Sequence, residues 1–144
     1  MKTIHKMLLA VLLCTGTLAS NPLLADEKSV WCLAKNIYHE ARGESLAGKL
    51  AVAKVTLNRV GHHHFPDTVC GVVYQPQQFS WTRQPQLRVK DLKAWQESLH
   101  IARDAIYNGL DEVKLSALYF HSIKIKPNWK RKREAKIGSH VFYR

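Results

Sequence analysis

Apolar residues recur at a helical spacing along the first third of the chain. Val30, Leu33, Ala34, Ile37, Tyr38 and Ala41 keep the i, i+3, i+4, i+7 rhythm of one helix face. The pattern predicts an amphipathic helix stopped by Gly43. At 100° per residue, His39 points away from that stripe, and Glu40 falls on its flank between core and surface. Residues 46–60 behave differently: Leu50, Val52, Ala53, Val55, Leu57 and Val60 cannot share one narrow stripe. A second helix is therefore predicted to run through the middle of the domain. Gly61 and the run His62-His63-His64 end it, and residues 68–74 read as a short helical piece. Residues 76–89 form a polar loop carrying Phe79, Ser80 and Trp81. Asp91 is a good N-cap for a third long helix, with Leu92, Trp95, Leu99, Ala102 and Ile106 on its buried face and Gly109 at its end. Beyond it the pattern changes. Residues 117–122 and 139–144 are short, aromatic and strand-like, separated by a basic loop over 124–136. The expected fold class is α+β, mainly α, with a small terminal β element.

The ends of the chain add a compartment. Lys2 and Lys6 precede an apolar run at 7–13, of signal-peptide length and too short to span a bilayer as a stable helix. Small residues allow cleavage after Ala19 or Ala25, so 1–25 is expected to be an export signal and 26–144 one domain. No membrane span is expected after cleavage. Without Lys2 and Lys6, 20 basic residues face 11 acidic ones, a formal charge of +9. That charge attracts polyanions. For an exported chain the anionic cell envelope, periplasmic or outer, is the expected setting. Cys14 leaves with the signal, and the remaining pair, Cys32 and Cys70, most simply forms one disulfide in an oxidising compartment.

Candidate chemistry narrows by elimination. His39-Glu40 opens like a zinc-protease helix, but Gly43 stands where the second histidine is required, and His62, His63 and His64 are consecutive. No metal site is expected, and no cofactor. There is no G-x-S-x-G elbow and no Gly-rich phosphate loop. The segment 124–136 with Trp129 could stack on nucleic acid, but the export signal favours an envelope-facing patch, so no nucleic-acid partner is expected. Glycosidic cleavage remains. Its leaving oxygen needs a carboxylic acid still protonated near neutral pH, and partial burial at a helix end supplies one. Glu40 is placed for that, although on position alone a single glutamate is more simply read as a surface charge.

"NIYHEARGES", "AVAKVTLNRV", "FPDTVCGVVYQPQQFSW", "ALYFH" and "IGSHVFYR" stand in this order between residues 31 and 144. Together they resemble the SleB/CwlJ-type cell wall hydrolase family. The resemblance implies a lysozyme-like, lytic-transglycosylase-like fold in which a glutamate closing the first core helix is the catalytic acid, here Glu40. It also implies peptidoglycan glycan strands as partner, cut between N-acetylmuramic acid and N-acetylglucosamine. Gln78, Phe79, Ser80 and Trp81 are the expected saccharide-contacting loop, and Tyr119 and His121 are candidates for the opposite wall. Glu44 is expected to fix the turn after Gly43 through backbone or Arg42 hydrogen bonds. His140, Phe142 and Tyr143 are expected to be supporting structure. Asp67 and Asp91 are already accounted for as N-caps. A site with a single carboxylate points to a lytic transglycosylase that forms 1,6-anhydro ends, the alternatives being a muramidase-type hydrolase or a non-catalytic cationic envelope-binding module. The Cys32/Cys70 pair suits an exported envelope enzyme better than a spore protein, and recognition of the spore-specific muramic lactam is not carried over.

Overall fold

A computed structural model describes residues 22–84 and 88–144, with side chains from residue 26 onward. The expected signal therefore lies almost wholly outside the described residues; Ala25 falls within the first helix. The elements are α1 (Pro22–Ala41), α2 (Leu46–Val60), α3 (Val69–Val73), a 3-10 turn at Ser80–Arg83, α4 (Leu92–Tyr107), β1 (Tyr119–Ser122), β2 (Arg133–Ile137) and β3 (His140–Tyr143). Each of α2, α3 and α4 starts at a side-chain cap that satisfies an otherwise orphaned N–H. Ser45 accepts from Gly48 N, Thr68 from Gly71 N and Asp91 from Ala94 N. Asp67 does not cap α3, because the helix starts one residue later than Asp67 requires.

The apolar stripe of α1 is buried as its spacing demands, with Val30, Leu33, Ala34 and Ile37 fully inaccessible. It packs on α4 through Tyr38 and Trp95, whose rings meet edge to face at 5.9 Å. The Tyr38 hydroxyl accepts from Lys90 N and Asp91 N, both at 3.1 Å, which fixes the entry to α4 against the end of α1. The breadth of α2 has a direct cause. Ala53 faces the main core, while Ala51 and Val55 face a second cluster with Leu115, Ala117 and Phe142. A buried Asn36–Thr56 hydrogen bond of 3.0 Å ties α1 to α2. A disulfide joins Cys32 to Cys70 with Cα atoms 5.2 Å apart. It closes a loop of 38 residues, worth about 4 kcal/mol by chain entropy.

The sheet is antiparallel in the order β1-β3-β2, with Phe120 opposite Phe142. Part of the expected basic loop is thus a strand. β2 occupies an edge, is rich in charge and is interrupted by a bulge between Arg133 and Ala135, so its sequence lacks the apolar alternation that marks a half-buried strand. Gly138, at φ +55°, turns the chain from β2 into β3. Among the described residues, no helix is long and apolar enough to cross a membrane.

Candidate active site

Glu40 sits in the last turn of α1, where the helix runs out between two cavities. One, of about 650 Å³, is lined by Tyr38, His39, Arg42, Ser80, Trp81 and Asp91 among others; the other, of about 510 Å³, by Arg59, Gln78, Phe79, Tyr119, His121 and His140 among others. Glu40 lines both. Burial pushes its carboxyl above the ordinary glutamate value, opposed by the Trp81 indole and the Arg59 guanidinium. Trp81 Nε1–H lies near enough to favour the carboxylate but outside full hydrogen-bonding geometry, so it is a buried donor with its bond unmade. His39 lies against Trp81 with ring centroids 4.7 Å apart and the planes tilted by 32°. Burial, then the charges of Arg42 and Lys35, pull its pKa down to about 4, so the imidazole is neutral at pH 7.

Loop 78–81 straddles Glu40, with Gln78 and Phe79 on the smaller cavity and Ser80 and Trp81 on the larger. Phe79 and Trp81 are only 4 % and 8 % exposed. They form the cleft floor rather than open stacking faces, because each also fills the core beside α1. Tyr119 and His121, from β1, line the smaller cavity. His121 Nδ1 donates to the Ser122 carbonyl at 2.7 Å, and Nε2 is hydrogen-bonded with the Tyr143 hydroxyl at 2.9 Å. His140 is buried and lines the same cavity, so it borders the site as well as supporting it. The exposed aromatic here is Trp129, 5.4 Å from the His121 ring. Arg131 lies 3.4 Å over the Tyr119 ring.

Glu44 is held by Ser139, not by Arg42. Ser139 N donates to one carboxylate oxygen at 3.0 Å and the Ser139 hydroxyl donates to the other. These bonds hold the Glu44 pKa below the ordinary value, against a smaller opposing effect of burial. A Cβ at position 138 would fall 1.9 Å from Glu44 Oε2, so the turn needs Gly138 for the close approach as well as for its φ. Arg42 instead places its guanidinium 5.2 Å from the Tyr38 ring centroid, on the rim of the larger cavity. Asp91 lines that cavity while capping α4, and Asp67 lines neither.

The residue that sequence reasoning missed is Arg59. It is 4 % exposed, its Nε donates to the Leu118 carbonyl at 2.7 Å, and its guanidinium lies 5.0–5.9 Å from the rings of Phe65, Phe79 and Tyr119. Burial lowers its pKa to about 10, so it stays charged. A signal was there: Arg59 stands four residues after Val55 and seven after Val52, on the buried stripe of α2. Among the described residues, no group of three or more His, Cys, Asp or Glu side chains is placed to hold a metal ion.

A family model described as Cell Wall Hydrolase matches residues 43–143. The chain belongs to the cell wall hydrolase family. The match starts three residues after Glu40, so it takes in Glu44, Arg59, loop 78–81 and the sheet, but not α1. The spore cortex-lytic enzyme of Oceanobacillus iheyensis is 35% identical over 122 residues, which cover 81% of this chain and 42% of that protein. That of Bacillus subtilis is 34% identical over 115 residues, covering 76% and 35%. The chain thus spans less than half the length of the curated relatives it matches. Among solved structures, the catalytic domain of the Bacillus cereus SleB protein superposes with a TM-score of 0.66 at 31% identity, covering 82% of this chain and 91% of that one. The catalytic domain of the germination-specific lytic transglycosylase SleB from Bacillus anthracis gives the same score and identity over 82% and 95%. The family member described here therefore shares the lysozyme-like fold of those catalytic domains.

Proposed function

We propose that this cell wall hydrolase domain, residues 26–144, cuts peptidoglycan between N-acetylmuramic acid and N-acetylglucosamine as a lytic transglycosylase, with Glu40 as general acid and then base. The observation that supports the reading is Glu40 itself, a carboxyl whose pKa burial raises above the ordinary glutamate value, standing where two cavities meet. A glycan laid through both would place a scissile bond at that junction, with loop 78–81 beneath it and Tyr119 and His121 on the far wall.

Glu40 protonates the leaving oxygen as the C1–O bond breaks. The muramic acid C6 hydroxyl then bonds to C1 and returns its proton to Glu40, with the advantage of an intramolecular nucleophile. A lysozyme-type route would need a second available carboxylate. Glu44 is occupied by Ser139, and Asp91 by the α4 N-terminus. The relatives' names, spore cortex-lytic enzyme and lytic transglycosylase, agree with the class of reaction. The Cys32–Cys70 bridge and the basic balance support export through residues 1–25 to the periplasm or cell envelope.

Mass spectrometry of unreduced peptidoglycan digests tests this. Anhydro ends, lighter than reducing ends by one water, are expected. Reducing ends alone would make the enzyme a hydrolase, with Asp91 the first carboxylate to examine because it shares the larger cavity with Glu40. No cleavage at all would leave a cationic envelope-binding module.

A further inference from the structure

Arg59 has no task in the scheme above, yet it is the one buried cation among the described residues lining either cavity. A buried guanidinium is tolerated when its donors are filled. Here Nε is filled by the Leu118 carbonyl, but Nη1 is buried without a partner. The planar group is gripped by Phe65, Phe79 and Tyr119, so it has little freedom to turn away. A second buried donor without a partner, Trp81 Nε1, lies on the larger cavity. Two unfilled donors therefore line the two cavities that meet at Glu40. An arrangement of this kind is wasteful in the resting state and useful when a negative charge is created between the donors.

We infer that Arg59 is the positioning residue that takes up the charge of Glu40 during turnover, its guanidinium held in place for the carboxylate left when Glu40 gives up its proton. The inference rests on Glu40 being the acid/base. When Glu40 protonates the departing oxygen, the electron pair of the C1–O bond goes to that oxygen and Glu40 is left anionic. It stays so until the C6 hydroxyl, bonding to C1, gives up its proton. Burial alone would make this anion costly and the acid too reluctant to part with its proton. A fixed neighbouring cation offsets that without reorganisation. The other charged and titratable groups that line the two cavities with Glu40 are His39 on its own helix and Arg42 just past its end, Arg88, Lys90 and Asp91 ahead of α4, and Tyr119, His121, Arg131 and His140 on the sheet side. The arginines and lysine among these are exposed and screened by solvent.

The test uses the full chain, wild type and with Arg59→Met or Arg59→Lys. Turnover is measured against peptidoglycan concentration, and the Glu40 carboxyl is titrated by carbon-13 NMR. Arg59→Met is expected to lower kcat about 100-fold, the loss typical of a preorganised donor, with KM little changed. It should also make Glu40 titrate at higher pH, and Arg59→Lys should recover part of both. A folded Arg59→Met variant whose Glu40 titrates as in wild type overturns the inference, whatever its activity, since a merely structural role would give that result. If Arg59→Met does not fold, the nitrogen-15 signals of the Arg59 guanidinium in wild type are followed through the Glu40 titration. Signals that ignore it overturn the inference equally. A wild-type protein that cleaves no peptidoglycan sinks the proposed function, while the titration still decides whether the two groups are coupled.

Discussion

Glu40 ends α1 with its carboxyl buried beside Trp81 and Arg59, while Glu44, four residues on, accepts two hydrogen bonds from Ser139 in the β2–β3 turn. The two side chains are chemically identical and neighbours in sequence. Their environments push them in opposite directions, the first above the ordinary glutamate pKa and the second below it. Desolvation disfavours the charged form, so the buried carboxyl holds its proton more tightly than a solvated one. Filled donors yield a permanent anion that serves as a strut. Proximity in the chain is therefore no guide to shared chemistry, and the difference between the two sites can be tested from either end.

The largest expected effect is on catalysis. Glu40→Gln keeps size and polarity but cannot deliver a proton, so lysis should fall by about 1,000-fold, within the usual range for a general acid. Its melting temperature should match or exceed wild type at neutral pH, because a folded-state pKa raised above the unfolded value lowers stability as pH rises past that unfolded value. The advantage should vanish below about pH 4, where both states are protonated. A variant retaining more than a few per cent of lytic activity would place the acid elsewhere.

Glu44→Gln should show the reverse. Its hydrogen bonds to Ser139 span 95 residues of chain. Loss of the charged acceptor should cost about 1–2 kcal/mol at neutral pH, discounted for the water that reaches this strut. The folded-state pKa of Glu44 is lowered. Its contribution is thus present above the unfolded glutamate value and lost as pH falls through the folded one. Thermal melts across pH 2–7 check this, and equal melting temperatures at pH 7 would show that Ser139 holds nothing. Gly138→Ala should add about 1 kcal/mol for left-handed backbone to the displacement of Glu44. In a Glu44→Gln background part of that loss should disappear, because the two changes act on one contact.

Much of this frame was legible beforehand. The α1 stripe, the span of α2 and the Asp91 cap follow from local periodicity and capping, which act over a few residues and leave a mark in sequence. Three features were not. The partner of Glu44 lies on a hairpin far along the chain, and only tertiary structure brings it back. β2 is an edge strand whose charges suit solvent, so its composition reads as loop. Arg59 was passed over because a basic residue in a helix is normally solvated, although its register on α2 pointed inward. Phe79 shows the converse case, an aromatic in a polar loop that packs in the core as well as lining the smaller cavity.

The comparison comes down to one experiment. Carbon-13 labelling of the glutamate side-chain carboxyls, with Glu40→Gln and Glu44→Gln as assignments, allows both groups to be titrated in the same folded protein. The account predicts that Glu40 titrates above the ordinary value of 4.5 and Glu44 below it. A Glu40 that titrates at or below Glu44 would contradict the account, for such a group could not hold the proton that the glycosidic oxygen requires.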